Sequence, residues 1–160
     1  MSHINAAAPI TLHSAAKSST EYEVSQVQPI ATKQRFQSAG GLPVVVIVDD
    51  DLAVCGSLKF SLELEGFTVR SYGSAAELFD ASDLAACDCF VIDQRMPGMS
   101  GMELIAKLRD RKILTPTVLL ISDPNPALTA RAALADVPIV EKPLFGNALV
   151  DRIREACQRR

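Results

Sequence analysis

Apolar positions in this chain gather into five short runs, separated by stretches of helical period. Val44-Val45-Val46-Ile47-Val48 is apolar throughout, as a strand covered on both faces should be. Val54, Leu58 and Leu62 then recur at i, i+4 and i+8 until Gly66, which predicts a helix and its stop. Thr68–Tyr72 alternates like an edge strand, and Ser74 is placed to cap a short helix over Ala75–Phe79. Cys89–Ile92 predicts a third strand that leads into Asp93. Gly101, Leu104, Ile105 and Leu108 follow at i, i+3, i+4 and i+7. Thr117–Ile121 predicts the fourth strand, an Ala-rich helix runs to about Ala135, and Val137–Val140 predicts a short fifth strand. Leu149, Ile153 and Ala156 mark the buried side of a last helix whose Arg152, Arg154, Arg159 and Arg160 are mostly solvated. Strands alternating with helices imply an α/β domain: a doubly wound five-stranded parallel sheet with five helices on its two faces. The first strand is too apolar for an edge. The order 2-1-3-4-5 fits, with a site at the switch between the first and third strands.

Residues 1–41 break this regularity. They are rich in Ala, Ser, Thr and Gln and hold only five charged residues, so they read as a flexible tail. Gly40-Gly41-Leu42-Pro43 marks the boundary, and residues 42–160 are the expected folded domain. Composition adds exclusions more than identity. Of 160 residues 48% are apolar and 22% charged, and the net charge of −3 gives no reason to expect nucleic-acid binding. No apolar run is long enough for a membrane span or a signal peptide, so a cytoplasmic location is expected. The four cysteines contain no CxxC pair and indicate neither a zinc site nor a disulfide framework. Cys87 and Cys89 are expected to be reduced thiols facing one side of the sheet; a metal role is the alternative.

The candidate chemistry stands at the strand ends. Asp49 and Asp50, Asp93, Ser122 and Lys142 each follow an inner strand and converge in the predicted topology. Taken singly, each has an ordinary reading: an Asp run as a turn, a Lys before Pro as solvated, a Ser after a strand as a turn residue. Asp93 could also cap the next helix, although that cap is expected nearer Ser100. Three carboxylates in one pocket need compensation, and a divalent cation plus an ammonium supplies it. Oxygen-only ligation without His points to Mg²⁺. A carboxylate can attack phosphorus to form an aspartyl phosphate, with Lys142 and the Ser122 hydroxyl on the phosphoryl oxygens.

With Ile92-Asp93 followed by Met96-Pro97-Gly98-Met99-Ser100-Gly101, and with Glu141-Lys142-Pro143, this set resembles the receiver domain of two-component response regulators. The resemblance covers roughly residues 43–157 and looks most like the nitrogen-fixation regulators. It implies a flavodoxin-like fold, phosphoryl transfer from a histidine kinase to Asp93, and no enzyme activity beyond self-catalysed phosphotransfer and dephosphorylation. It further implies Mg²⁺ on Asp50, Asp93 and the backbone carbonyl of Arg95, with Asp49 acting through water. Ser122 and Lys142 would contact the phosphoryl group. Three departures stand out. Ile139 occupies the position of a switching aromatic ring. The segment from Ser122 to Ile139 is shorter than usual and is stiffened by Pro124, Pro126 and Pro138. The sequence ends at Arg160 without a DNA-binding output domain, so a stand-alone module acting on a downstream protein partner is expected, as a monomer or a phosphorylation-linked dimer. Two alternatives remain: a binding module or kinase inhibitor indifferent to phosphorylation, and a phosphatase resembling the haloacid dehalogenases with Asp49 as nucleophile.

Overall fold

The structure is a computed structural model describing residues 41–158 apart from 83 and 85. The tail expected over residues 1–41 lies, up to its last residue, outside the described residues, as do Arg159 and Arg160. Five strands, β1 (Val44–Val48), β2 (Thr68–Tyr72), β3 (Cys89–Asp93), β4 (Thr117–Ile121) and β5 (Ile139–Glu141), form one parallel sheet in the order β2-β1-β3-β4-β5. The helices α1 (Leu52–Leu64), α2 (Ala75–Asp80), α3 (Gly101–Asp110), α4 (Pro126–Leu134) and α5 (Ala148–Gln158) cover both faces.

The unbroken apolar strands follow from that coverage. Val45, Ile47, Cys89, Val91, Val118 and Leu120 point to the face packed by α1 and α5. Val46, Val48, Phe90, Ile92, Leu119 and Ile121 point to the face packed by α2, α3 and α4. Successive side chains alternate across the pleat, so a strand buried on both sides has no position left for a polar residue.

Two local expectations are corrected. The fifth strand begins at Ile139, not Val137. Asp136 takes a left-handed φ of 49°, and the Val137 N–H donates to Ala132 O at 2.9 Å, closing the end of α4 rather than joining the sheet. Cys87 and Cys89 face opposite ways: Cys89 belongs to the α1/α5 core and Cys87 to the other. Cys87 precedes β3, so the strand's alternation does not govern it. Both are buried and outside any disulfide, and burial, then the neighbouring Cys157 and Cys87 thiols and the Asp88 charge, pushes the Cys89 thiol well up.

The turn from β3 into α3 fixes where Asp93 sits. Ser100 caps α3, and its side chain and Glu103 form a reciprocal capping box. Asp93 is therefore not the cap. Gly101, the first helical residue, lies so close to β3 that a Cβ there would fall 2.5 Å from the Asp93 carbonyl oxygen and 2.8 Å from Leu119 Cδ1. Ala gains up to about 1 kcal/mol over Gly in a helix, but overpacking against backbone costs about 1–3 kcal/mol. Gly101→Ala should therefore lower the unfolding free energy, by about 1–2 kcal/mol in urea titrations; an equal or higher stability would refute the close packing.

Candidate functional site

Register brings the acidic residues together. Val48 of β1 pairs with Ile92 of β3, so Asp49 and Asp93 lie side by side at the carboxyl ends of adjacent strands. Both are buried, at 1% and 4% exposure. Lys142 follows β5, beyond β4, and its long stem carries the ammonium back across the sheet end. Its Nζ lies 2.7 Å from Asp49 Oδ2 and 2.6 Å from Asp93 Oδ1. The other oxygens take backbone donors: Asp49 Oδ1 accepts from Asp51 N–H at 2.9 Å, and Asp93 Oδ2 from Arg95 N–H at 2.6 Å.

Burial alone would pull the Lys142 ammonium down. Hydrogen bonds to Asp49 and Asp93, with their charges, outweigh it and hold the group above the ordinary lysine value. The Cys55 thiol donates to Asp49 O at 3.3 Å; burial, then the Asp49 charge, raises it, so it stays a neutral donor beneath the site.

The remaining predicted residues are placed differently. Asp50 is exposed at the mouth, beside the buried pair but outside the Lys142 bridge. Ser122 is exposed just past β4. Ile139 is half-buried and packs against the α3/α4 side of the core. Asp51 caps α1, accepting from Ala53 and Val54 N–H at 2.9 and 3.2 Å. The second Asp of a haloacid-dehalogenase-like pair is thus spent on a helix.

Among the described residues no three His, Cys, Asp or Glu side chains are gathered as a ready metal site. The donor set still suits Mg²⁺, which takes one or two carboxylates and keeps waters. Asp49, Asp50 and Asp93 against Lys142 leave two negative charges formally unbalanced, and all the side-chain donors are hard oxygens.

Residues 45–154 match the response regulator receiver domain family. The chain belongs to that family. Transcriptional regulatory protein FixJ of Azorhizobium caulinodans is 37% identical over 119 residues, 74% of this chain and 56% of that protein. The C4-dicarboxylate transport regulator DctR of Rhodobacter capsulatus is 34% identical over 110 residues, 67% of this chain and 56% of its own length. The crystal structure of FixJ-N matches with a TM-score of 0.67 at 33% identity, over 74% of this chain and 95% of that one. Chemotaxis protein CheY4 of Vibrio cholerae, at 22% identity and a TM-score of 0.66, shares the fold. The kinship with nitrogen-fixation regulators holds. The chain spans about half the length of the curated relatives it matches. Receivers are phosphoacceptor signalling domains that generally bind Mg²⁺ where they are phosphorylated, so the dehalogenase-like alternative falls. No helix among the described residues is long and apolar enough to cross a membrane.

Two features of this receiver were not legible in its sequence. The Arg95 side chain, expected to matter only through its carbonyl, pairs with Asp123 at 3.0 Å. Cys55 counted only as one of four cysteines without a CxxC pair, and its contact with Asp49 depends on how the helix sits over the strand end.

Lys142 is 80% buried in effect, with only 20% of its side chain exposed, and removing it strands two buried carboxylates. Lys142→Met should cost about 3 kcal/mol without divalent cation, at the lower end for a broken buried pair, and adding Asp93→Asn should recover part of it. Because the folded-state pKa is raised, this stabilisation is complete below the unfolded lysine value near 10.4. It is lost as pH climbs through the raised value. Chemical unfolding from pH 8 to above the lysine range, compared between wild type and Lys142→Met, reads the difference; parallel curves would contradict it.

Proposed function

We propose that this is a cytoplasmic domain whose Asp93 accepts a phosphoryl group from a phosphohistidine of a histidine kinase, and that the phosphorylated domain signals through a protein partner. The observation that carries this reading is the single ammonium of Lys142 shared between two buried carboxylates at adjacent strand ends. An Asp93 oxygen attacks phosphorus, the nitrogen–phosphorus bond breaks, and the imidazole leaves and takes a proton from water. Asp50, Asp93 and the Arg95 carbonyl would hold Mg²⁺, with Asp49 acting through water. The ion supplies charge neutralisation for the phosphoryl oxygens. Lys142 follows the new charge on Asp93, and the Ser122 hydroxyl donates to a phosphoryl oxygen. Incubation with acetyl phosphate and Mg²⁺ should yield an acid-stable, hydroxylamine-labile adduct on Asp93, absent from Asp93→Asn. Asp50→Asn should weaken Mg²⁺ binding in a metal titration. Labelling of Asp93→Asn at the wild-type level would sink the assignment.

The output is expected to be graded. Ile139 has no ring to swing, is β-branched and so stiff at χ1, and packs against the core. A partner should bind both forms, with a preference of about 1–3 kcal/mol for the phosphorylated one. Partner affinity with and without a phosphoryl mimic on Asp93 measures this; a preference beyond about 10⁴-fold, the ratio for near-complete switching, contradicts it. Equal binding by wild type and Asp93→Asn under phosphorylating conditions would favour a module indifferent to phosphorylation.

A further inference from the structure

Two loops at the mouth of the site are joined by a contact that neither the buried carboxylates nor the core requires. Arg95 donates its backbone N–H to Asp93 Oδ2, while its guanidinium reaches Asp123 Oδ2 at 3.0 Å. Asp123 lies on the loop from β4 into α4, two residues before Asn125. Asn125 caps α4: its side-chain oxygen accepts from Leu128 N–H at 2.9 Å and its carbonyl from Thr129 N–H at 3.0 Å. Pro124 and Pro126 flank this cap and restrict the backbone on either side. A displacement at Asp123 therefore passes to Asn125 instead of dissipating in a slack loop.

From this geometry we infer that the Arg95–Asp123 ion pair is a latch that phosphorylation opens, coupling Asp93 to the start of α4. The inference rests on the reading of Asp93 as the phosphoacceptor. The resting pair is one nitrogen on one oxygen, with the side chains 68% and 73% exposed, and such pairs are weak. A phosphoryl group brings about −1.5 to −2 charge and three acceptor oxygens. It arrives on the carboxylate that Arg95's own N–H already touches. Guanidinium groups bind phosphate through two parallel hydrogen bonds, which a single distant carboxylate oxygen does not match. Lys142 already touches Asp93 and stays with it, whereas Arg95 has to release Asp123 on the other loop to reach the phosphoryl group. Once Arg95 turns to the phosphoryl oxygens, Asp123 and the cap behind it lose their tie to the β3–α3 turn. This route needs no aromatic ring at position 139.

Amide hydrogen exchange at Leu128 and Thr129, read by NMR on the full chain, tests the latch. In the resting protein Asp123→Asn should speed exchange at both amides by up to about fivefold, the most that an exposed pair supplies. Arg95→Ala should do the same, and the double variant no more than either single one. Acetyl phosphate with Mg²⁺ should produce the same acceleration in wild type. In Asp123→Asn the adduct should form as usual and add nothing. Salt at about 1 M, where charges are screened within about 3 Å, should reproduce the effect in wild type only. Additive single effects, or an intact phosphorylation response in Asp123→Asn, would overturn the latch and leave the phosphoacceptor reading standing. Absence of any adduct on wild type would overturn both.

Discussion

One ammonium holds the carboxyl edge of this sheet together. Lys142 Nζ touches Asp49 and Asp93 at once, and so ties the ends of the first, third and fifth strands through one charged atom. Desolvating three charges is costly, and a buried ion pair is weak grounds for stability. Apolar side chains would close the same gap with less penalty. What such a bridge supplies is a pair of carboxylates held beside one shared cation, at a point where the sheet order reverses. With Asp50 at the mouth, negative charge remains in excess, which favours a metal ion and then a group whose charge Lys142 can follow.

The rest of the fold serves to keep that edge rigid. Strands buried on both faces leave no slack beneath Asp49 and Asp93, and the Cys55 thiol fills the space under Asp49 with a weak donor. Gly101 lets α3 start against the Asp93 carbonyl, while the Ser100–Glu103 box fixes where the helix begins. Asp93 thus hangs from strand and helix backbone, while Ser122 and the Asp123 and Arg95 side chains stand on the exposed rim. The division is physical. Buried groups set the chemistry, and weakly held surface groups are the ones a new charge can move.

Ile139 opens β5, the edge strand on the Lys142 side of the sheet. It fills core space on the α4 side, with no rotating ring. The proposed latch would instead run over the rim: Arg95 contacts both the Asp93 carboxylate and Asp123, and the chain passes from Asp123 through Pro124 to the Asn125 cap.

Strand order and the strand-end positions of the charged residues could be read from the amino-acid sequence, because burial on both faces writes an unbroken apolar run and a ligand edge writes charge where that run stops. Asp49, Asp93 and Lys142 each followed such a run. The sequence could not tell which of three consecutive Asp residues is buried, which caps a helix and which stays in water; register and the path of α1 decided that. The start of β5 and the opposed faces of Cys87 and Cys89 were equally hidden, since both depend on backbone outside the regular strand. The Arg95–Asp123 pair was hidden for a related reason. Two exposed side chains 28 positions apart leave no periodic trace, and only the pairing of β3 with β4 brings their loops within reach.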